Sequence, residues 1–162
     1  MAVSAVVFDV GETLVDEAAT YERWQAEGAR THVFIERDLH ADALPCLAVL
    51  RAQGLRLGAA GNMRARHEDF LRPHVDFVGS SERWGVEKPD AGFFAHVVDE
   101  AGVSADEILY VGDRVDNDVV PALAACLHAV RIRRGAHALV ESPAGIVTIG
   151  SLTELPEALR CV

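Results

Sequence analysis

The stretch Ala5-Val6-Val7-Phe8-Asp9-Val10-Gly11-Glu12-Thr13-Leu14 decides the fold. Its apolar run, read from Val3 to Phe8, is short and continuous, as expected of a strand buried on both faces of a parallel sheet. The run ends on Asp9. A carboxylate at the C-terminal end of such a strand sits where open α/β sheets gather their reacting groups. Two residues on stands Gly11, so this point offers one carboxylate and no paired acid. One carboxylate gives a nucleophile or a metal ligand, not a nucleophile together with a general acid.

Working outward, the same kind of run recurs at Leu55 to Ala60, Val75 to Val78, Ile108 to Val111, Ala129 to Ile132 and Ile146 to Ile149. Helical patterns fall between them, at Ala43 to Gln53, Arg64 to Leu71, Ala91 to Ala101 and Asn117 to Ala125. Gly54 and Gly102 stand where helix C-caps are expected, and Pro89 with Asp90 where a helix begins with proline near its first position. Ser151 with Glu154 makes a capping pair for a last helix. Strands alternating with helices predict an α/β fold with a doubly wound, mainly parallel, Rossmann-like sheet, as one domain over residues 1–162.

Residues 15–42 break the pattern. This segment is polar and charged, yet contains Trp24, Val33, Phe34 and Ile35. It reads as one or two helices beside the sheet. Either it is an ordinary crossover with its apolar face on the core, or it is a small lid or contact surface over the strand ends. Arg23, Arg30, His32 and Arg37 are its candidate contacts to a bound molecule, against the plainer reading as solvated side chains.

Composition narrows the function classes. The net charge of -10 argues against a nucleic-acid surface and disfavours an anionic membrane. No apolar run reaches the length of a membrane span, and the N-terminal run is too short for a signal peptide. Cys46, Cys126 and Cys161 are odd in number and lack metal-type spacing, which fits a reducing, cytoplasmic setting. A small anionic substrate stays open, because a bound cation or local arginines can reverse the field inside a cleft.

Three further groups could carry chemistry. Gly112-Asp113-Arg114-Val115-Asp116-Asn117-Asp118 puts three acids directly after an apolar strand, where close carboxylates need a compensating cation or hydrogen bonds. The plainer reading is an Asx turn with Asp116 or Asn117 as helix cap. If Asp9 and Asp113 end adjacent strands, they can share one hard cation, and magnesium suits that donor set. In Gly85-Val86-Glu87-Lys88-Pro89-Asp90, Lys88 either bridges the acids, holds a phosphate oxygen, or is simply solvated. Ala59-Ala60-Gly61-Asn62 ends a strand in small residues, leaving backbone N–H groups for an anion or merely making a tight turn.

These four groups, in this order, resemble the haloacid dehalogenase superfamily, whose Rossmann-like core carries a cap inserted after the first motif. The resemblance implies that Asp9 is a nucleophile forming an aspartyl intermediate. It implies that Lys88 steadies Asp9 and the transferred group, and that Gly61, Asn62 and Lys88 meet a phosphate. It also implies that Mg2+ is held by Asp9, Asp113, the backbone carbonyl of Gly11 and, in support, Asp118. A truncated cap at residues 15–42 then leaves the site more open, or covered by a second copy in a homodimer.

Two departures temper the implied phosphatase. Gly11 stands where phosphatases of the superfamily carry their acid/base aspartate, a contribution of about 10²- to 10⁴-fold. Glu12 is the nearest replacement, one residue off register. Gly61 stands where a Ser or Thr hydroxyl usually meets the phosphate. The expectation is a slow, magnesium-dependent phosphate-ester hydrolase acting on a small phosphorylated molecule or a phosphoprotein. The alternatives are a non-catalytic binding module and, third, a 2-haloacid dehalogenase-like hydrolase.

Overall fold

The computed structural model describes residues 2–28 and 32–162. Six strands form one sheet: β1 Ala5–Phe8, β2 Arg56–Gly61, β3 Phe77–Ser80, β4 Ile108–Gly112, β5 His128–Ile132 and β6 Val147–Ile149. Every pairing is parallel and the order is β3-β2-β1-β4-β5-β6. The chain winds outward from β1 to one edge, then returns to pair β4 on its other side. The strand order therefore reverses at β1 and β4, the switch point where open α/β sheets hold ligands.

The strands are mostly apolar because both faces are covered. Successive side chains alternate between faces. Val6, Phe8, Leu57, Ala59, Leu109, Val111, Val130 and Ile132 pack on one face, with Leu47 and Leu50 of α2 (Ala43–Ala52). Ala5, Val7, Ala60, Ile108, Tyr110 and Ala129 pack on the other, with Phe93, Phe94 and Val97 of a helix at Ala91–Ala101. The fold is thus doubly wound, as the alternation predicts.

Some helices differ from expectation. The pattern over Arg64 to Leu71 becomes a 3₁₀ turn at Ala65–His67 followed by α3, Glu68–Leu71. Glu82 explains the tighter start, since its carboxylate accepts from both Arg64 Nη1 and the Ala65 N–H at 2.8 Å. Glu82 belongs to α4 (Ser81–Trp84), and the helix at Ala91–Ala101 is α5. Its cap is Asp90, which accepts from the Gly92 N–H, so Pro89 lies outside the helix rather than near its first position. The pattern over Asn117 to Ala125 is a π-turn at Val115–Val119 leading into α6, Val120–Ala124. Ser151 and Glu154 form the expected capping pair ahead of α7, Leu155–Ala158.

The described part of residues 15–42 contains one α-helix, α1 (Glu17–Glu27), and a 3₁₀ turn at Glu36–Asp38. Asp16 caps α1 by accepting from the Ala19 N–H, and Gly28 ends it at a φ of 57°. The excursion leaves and returns at one place: the Asp16 N–H donates to Asp38 O and the His40 N–H to Leu14 O, each at 2.8 Å. α1 buries only Thr20 and Trp24, four residues apart on one side. Phe34 stacks on His67 at 4.1 Å and Trp24 on His32 at 4.6 Å. Arg30 lies outside the described residues.

Candidate active site

Parallel register builds the site. Phe8 pairs with Ala59 on one side and Val111 on the other, and the Asp9 N–H donates to Val111 O at 2.8 Å. Asp9 and Asp113 thereby emerge side by side at the ends of β1 and β4. Lys88 reaches them from the loop before α5. Its Nζ donates to Asp9 Oδ1 and to Asp118 Oδ1, both at 2.5 Å. All four side chains are buried, Asp9 to 6% exposure. Carboxylate oxygens of Asp9, Asp113 and Asp118 lie within 4.8 Å of one another.

The seven residues to which the resemblance gives a site role, Asp9, Gly11, Gly61, Asn62, Lys88, Asp113 and Asp118, all line one cavity of about 270 Å³. Their contacts differ from expectation in informative ways. Both ends of the Asn62 amide are engaged by Lys88: Nδ2 donates to Lys88 O at 3.0 Å, and Oδ1 accepts from the Lys88 N–H at 2.8 Å. Asn62 therefore fixes the lysine's backbone. Asp118 is shared between Lys88 Nζ and the Arg114 N–H. That second bond explains the wide π-turn, a departure that recurs at functional sites. Asp116, the third acid of the cluster, points outward and pairs with Arg114, and neither it nor Asn117 caps a helix.

Three contributors carried weaker sequence signals. Thr13 Oγ1 donates to Asp9 Oδ2 at 3.5 Å, from within the quoted opening stretch. The Tyr110 hydroxyl donates to Ala60 O, and its ring lies 5.5 Å from Lys88 Nζ. Arg131, fully buried, donates from Nε to Asp113 O and from its Nη atoms to Val140 O, His137 O and Ser142 Oγ. An arginine inside the apolar strand β5 was the sign of it.

Charge is unbalanced here. Burial, opposed by Lys88 and reinforced by Asp118, pushes the Asp9 carboxyl up to about 7. Burial, with Asp9 and Asp118 adding to it, pushes Asp113 up to about 8. One ammonium is shared by Asp9 and Asp118, and Asp113 has no ion-pair partner among the described residues. Three hard oxygen donors with an unmet need for positive charge fit a small divalent cation.

Two glycines shape the cavity. A Cβ built on Gly61 would lie 3.1 Å from Asp9 Oδ1. A Cβ built on Gly11 would run into the carboxyl of Glu17, 2.8 Å from its Cδ. Glu12 is bent away: it has a φ of 57°, packs against Gly135 and lies 3.9 Å from His40.

The cavity opens into a cleft of about 720 Å³. Tyr21, Trp24, His32, Phe34 and His67 give it an aromatic wall, and Arg64 and Arg66 lie on its rim. Of the arginines proposed from sequence, Arg23 is tied to Asp38, Glu27 and Val33 O, and Arg37 to Glu27. Neither lines the cleft, whereas His32 does. Val33 and Ile35 are exposed on either side of Phe34, which is half-buried.

A family model for haloacid dehalogenase-like hydrolases matches residues 23–125. The chain belongs to the haloacid dehalogenase-like hydrolase family. Among its relatives are glyceraldehyde 3-phosphate phosphatases of Methanocaldococcus jannaschii, 36% identical over 70% of this chain and 53% of that protein, and of Methanopyrus kandleri, 38% identical over 59% and 44%. The chain thus spans about half the length of these relatives. A haloacid dehalogenase-like phosphatase from Thermococcus onnurineus shares the fold with a TM-score of 0.76 at 21% identity, covering 98% of each chain. YfnB from Bacillus subtilis, bound to magnesium, does so with a TM-score of 0.77 at 18% identity, covering 98% of this chain and 99% of its own. No helix among the described residues is long and apolar enough to cross a membrane.

Proposed function

We propose that this chain hydrolyses phosphate monoesters through an aspartyl-phosphate on Asp9. The observation that carries the reading is the meeting of Asp9, Lys88, Asp113 and Asp118 in one buried cavity at the switch point of the sheet. In this reading Asp9 attacks the phosphorus and Lys88 pairs with the phosphoryl oxygens. Asn62 positions Lys88, and the backbone at Gly61 lies against the phosphoryl group. Asp9 and Asp113 would hold Mg2+ directly, with Asp118 in support through its hold on Lys88. When bound, the ion neutralises charge on the phosphoryl oxygens. The carbonyl of Gly11, in the same cavity, is a further candidate ligand.

Residues 15–42 serve as a short insert at the cap position of a core spanning residues 1–162. The small cavity beneath an aromatic cleft suits a small phosphorylated molecule, and the relatives' substrate makes a triose phosphate the first to test. Because Gly11 supplies no acid, turnover of esters with poor leaving groups is slow unless another residue gives the proton. Three buried acids facing a single ammonium support a cation and a phosphoester rather than halide displacement. Assays of an aryl phosphate and a triose phosphate, with and without magnesium, test the proposal. Magnesium-dependent turnover that disappears in Asp9→Asn is expected, and turnover indifferent to both would overturn it.

A further inference from the structure

Phosphoryl transfer to a carboxylate splits the reacting molecule between two spaces. The phosphoryl group stays beside Asp9, and the alcohol departs on the opposite side of phosphorus. Here the phosphoryl space is the small cavity, and two larger spaces share lining residues with it along α1: the aromatic cleft, and a cleft of about 840 Å³ toward His40 and Arg134. Four residues line both the small cavity and the aromatic cleft: Glu17, Phe34, Asn62 and Met63. Phe34 and Met63 cannot carry a proton, and the Asn62 amide is held by Lys88. Among the described residues Glu17 is the one acid on that boundary, and the one residue that lines all three spaces.

Its placement has a local cause. Asp16 caps α1, which sets Glu17 as the first helical residue directly above the turn at Gly11. Because Gly11 has no side chain, the Glu17 carboxyl enters the space a Cβ there would fill. No hydrogen bond from a described residue ties that carboxyl down. The other acid nearby, Glu12, also lines the small cavity, but it leans toward Gly135 and His40 and does not reach the aromatic cleft.

We propose that Glu17 is the proton donor to the departing alcohol, entering from α1 the space left free by Gly11. This rests on the phosphoester reading above. In the first step an Asp9 oxygen bonds to phosphorus, and the bond from phosphorus to the ester oxygen breaks with its electron pair on that oxygen. Glu17 gives its proton to the same oxygen, releasing the alcohol. In the second step water bonds to phosphorus and gives a proton to Glu17, while the bond from phosphorus to the Asp9 oxygen breaks. Inorganic phosphate leaves, and both carboxyl groups return to their starting forms.

The test is leaving-group dependence. With glycerol phosphate, whose alcohol needs a proton, Glu17→Gln should lose about 10²- to 10⁴-fold in kcat, and with p-nitrophenyl phosphate no more than about threefold. A double variant, Glu17→Ala with Gly11→Asp, vacates the space and refills it from β1, and should recover part of the glycerol phosphate activity. Equal losses on both esters, or no loss on either, overturn the assignment. So does an unmodified protein that hydrolyses only the aryl ester. If Asp9→Asn abolishes turnover in those cases, the phosphoester reading survives and only the role of Glu17 falls. If the unmodified protein hydrolyses neither ester with magnesium, both fall together.

Discussion

The floor and the roof of this site are built by different means. The floor is Asp9, Lys88, Asp113 and Asp118, all buried, each set by a strand end or by the loop before α5. Parallel hydrogen bonds fix the two strand ends to within one residue of each other, and Arg131 and Asn62 brace the backbone behind them. The roof is α1 and residues 32–39, resting on the body through Trp24, Phe34 and His67 and closed by Asp16 and His40 at its base. A register error on the floor would separate the acids, whereas the roof can change residues without disturbing them. On the proposed reading the chemistry lives in the sheet, and the choice of substrate in a short segment with little buried surface.

The largest expected effect is on the floor. Lys88→Met leaves Asp9 and Asp118 buried without their shared cation, which should cost about 3–5 kcal/mol of stability in denaturant titration. An unchanged midpoint would mean that the floor is less closed than its geometry implies. Turnover should vanish in the same variant.

Magnesium should couple to pH through the same groups. Asp9 and Asp113 have folded values near 7 and 8, above those of an unfolded carboxyl. Their contribution to metal-free stability is therefore fully present at low pH and is lost as the pH rises through that range. A bound cation removes the penalty on their charged forms. Magnesium should thus raise the melting temperature more at pH 8 than at pH 5, with about 2.7 kcal/mol gained at a hundredfold excess over its Kd. A larger shift at pH 5 would contradict the assignment of these acids as its ligands.

On the roof, Phe34→Ala should raise KM several-fold for the preferred ester while kcat holds within about threefold, at a stability cost of about 1 kcal/mol. A fall in kcat with unchanged KM would place Phe34 in the chemistry instead. The smallest effect is expected of Gly61→Ser. It adds a hydroxyl at the phosphoryl end of the cavity, where a hydrogen bond is worth about 1 kcal/mol, or roughly a fivefold lower KM. The 3.1 Å approach to Asp9 requires a slight shift to admit it, and a higher KM would show that the shift is not made.

The floor was legible in the sequence and the roof mostly was not. Each strand buried on both faces leaves a continuous apolar run, so all six strands and the acids at their ends could be read directly. Lys88 was legible beside Pro89 and Asn62 after β2, but not that Asn62 holds the Lys88 backbone, because an amide gives no hint of whether it faces ligand or backbone. Helix boundaries failed where side chains seize backbone N–H groups, as Glu82 does at Ala65 and Asp118 at Arg114. Glu17 had no signal at all. An acid in the first turn of a helix is ordinary, and only the turn at Gly11 brings it over the cavity.

The most direct test of the account is the covalent step. The protein is mixed with an aryl phosphate and magnesium, quenched in acid within a turnover, digested, and analysed by mass spectrometry. A phosphoryl adduct on the peptide holding Asp9, dependent on magnesium and missing from Asp9→Asn, is the predicted result. Steady turnover with no adduct on that peptide, or an adduct on another residue, would contradict it.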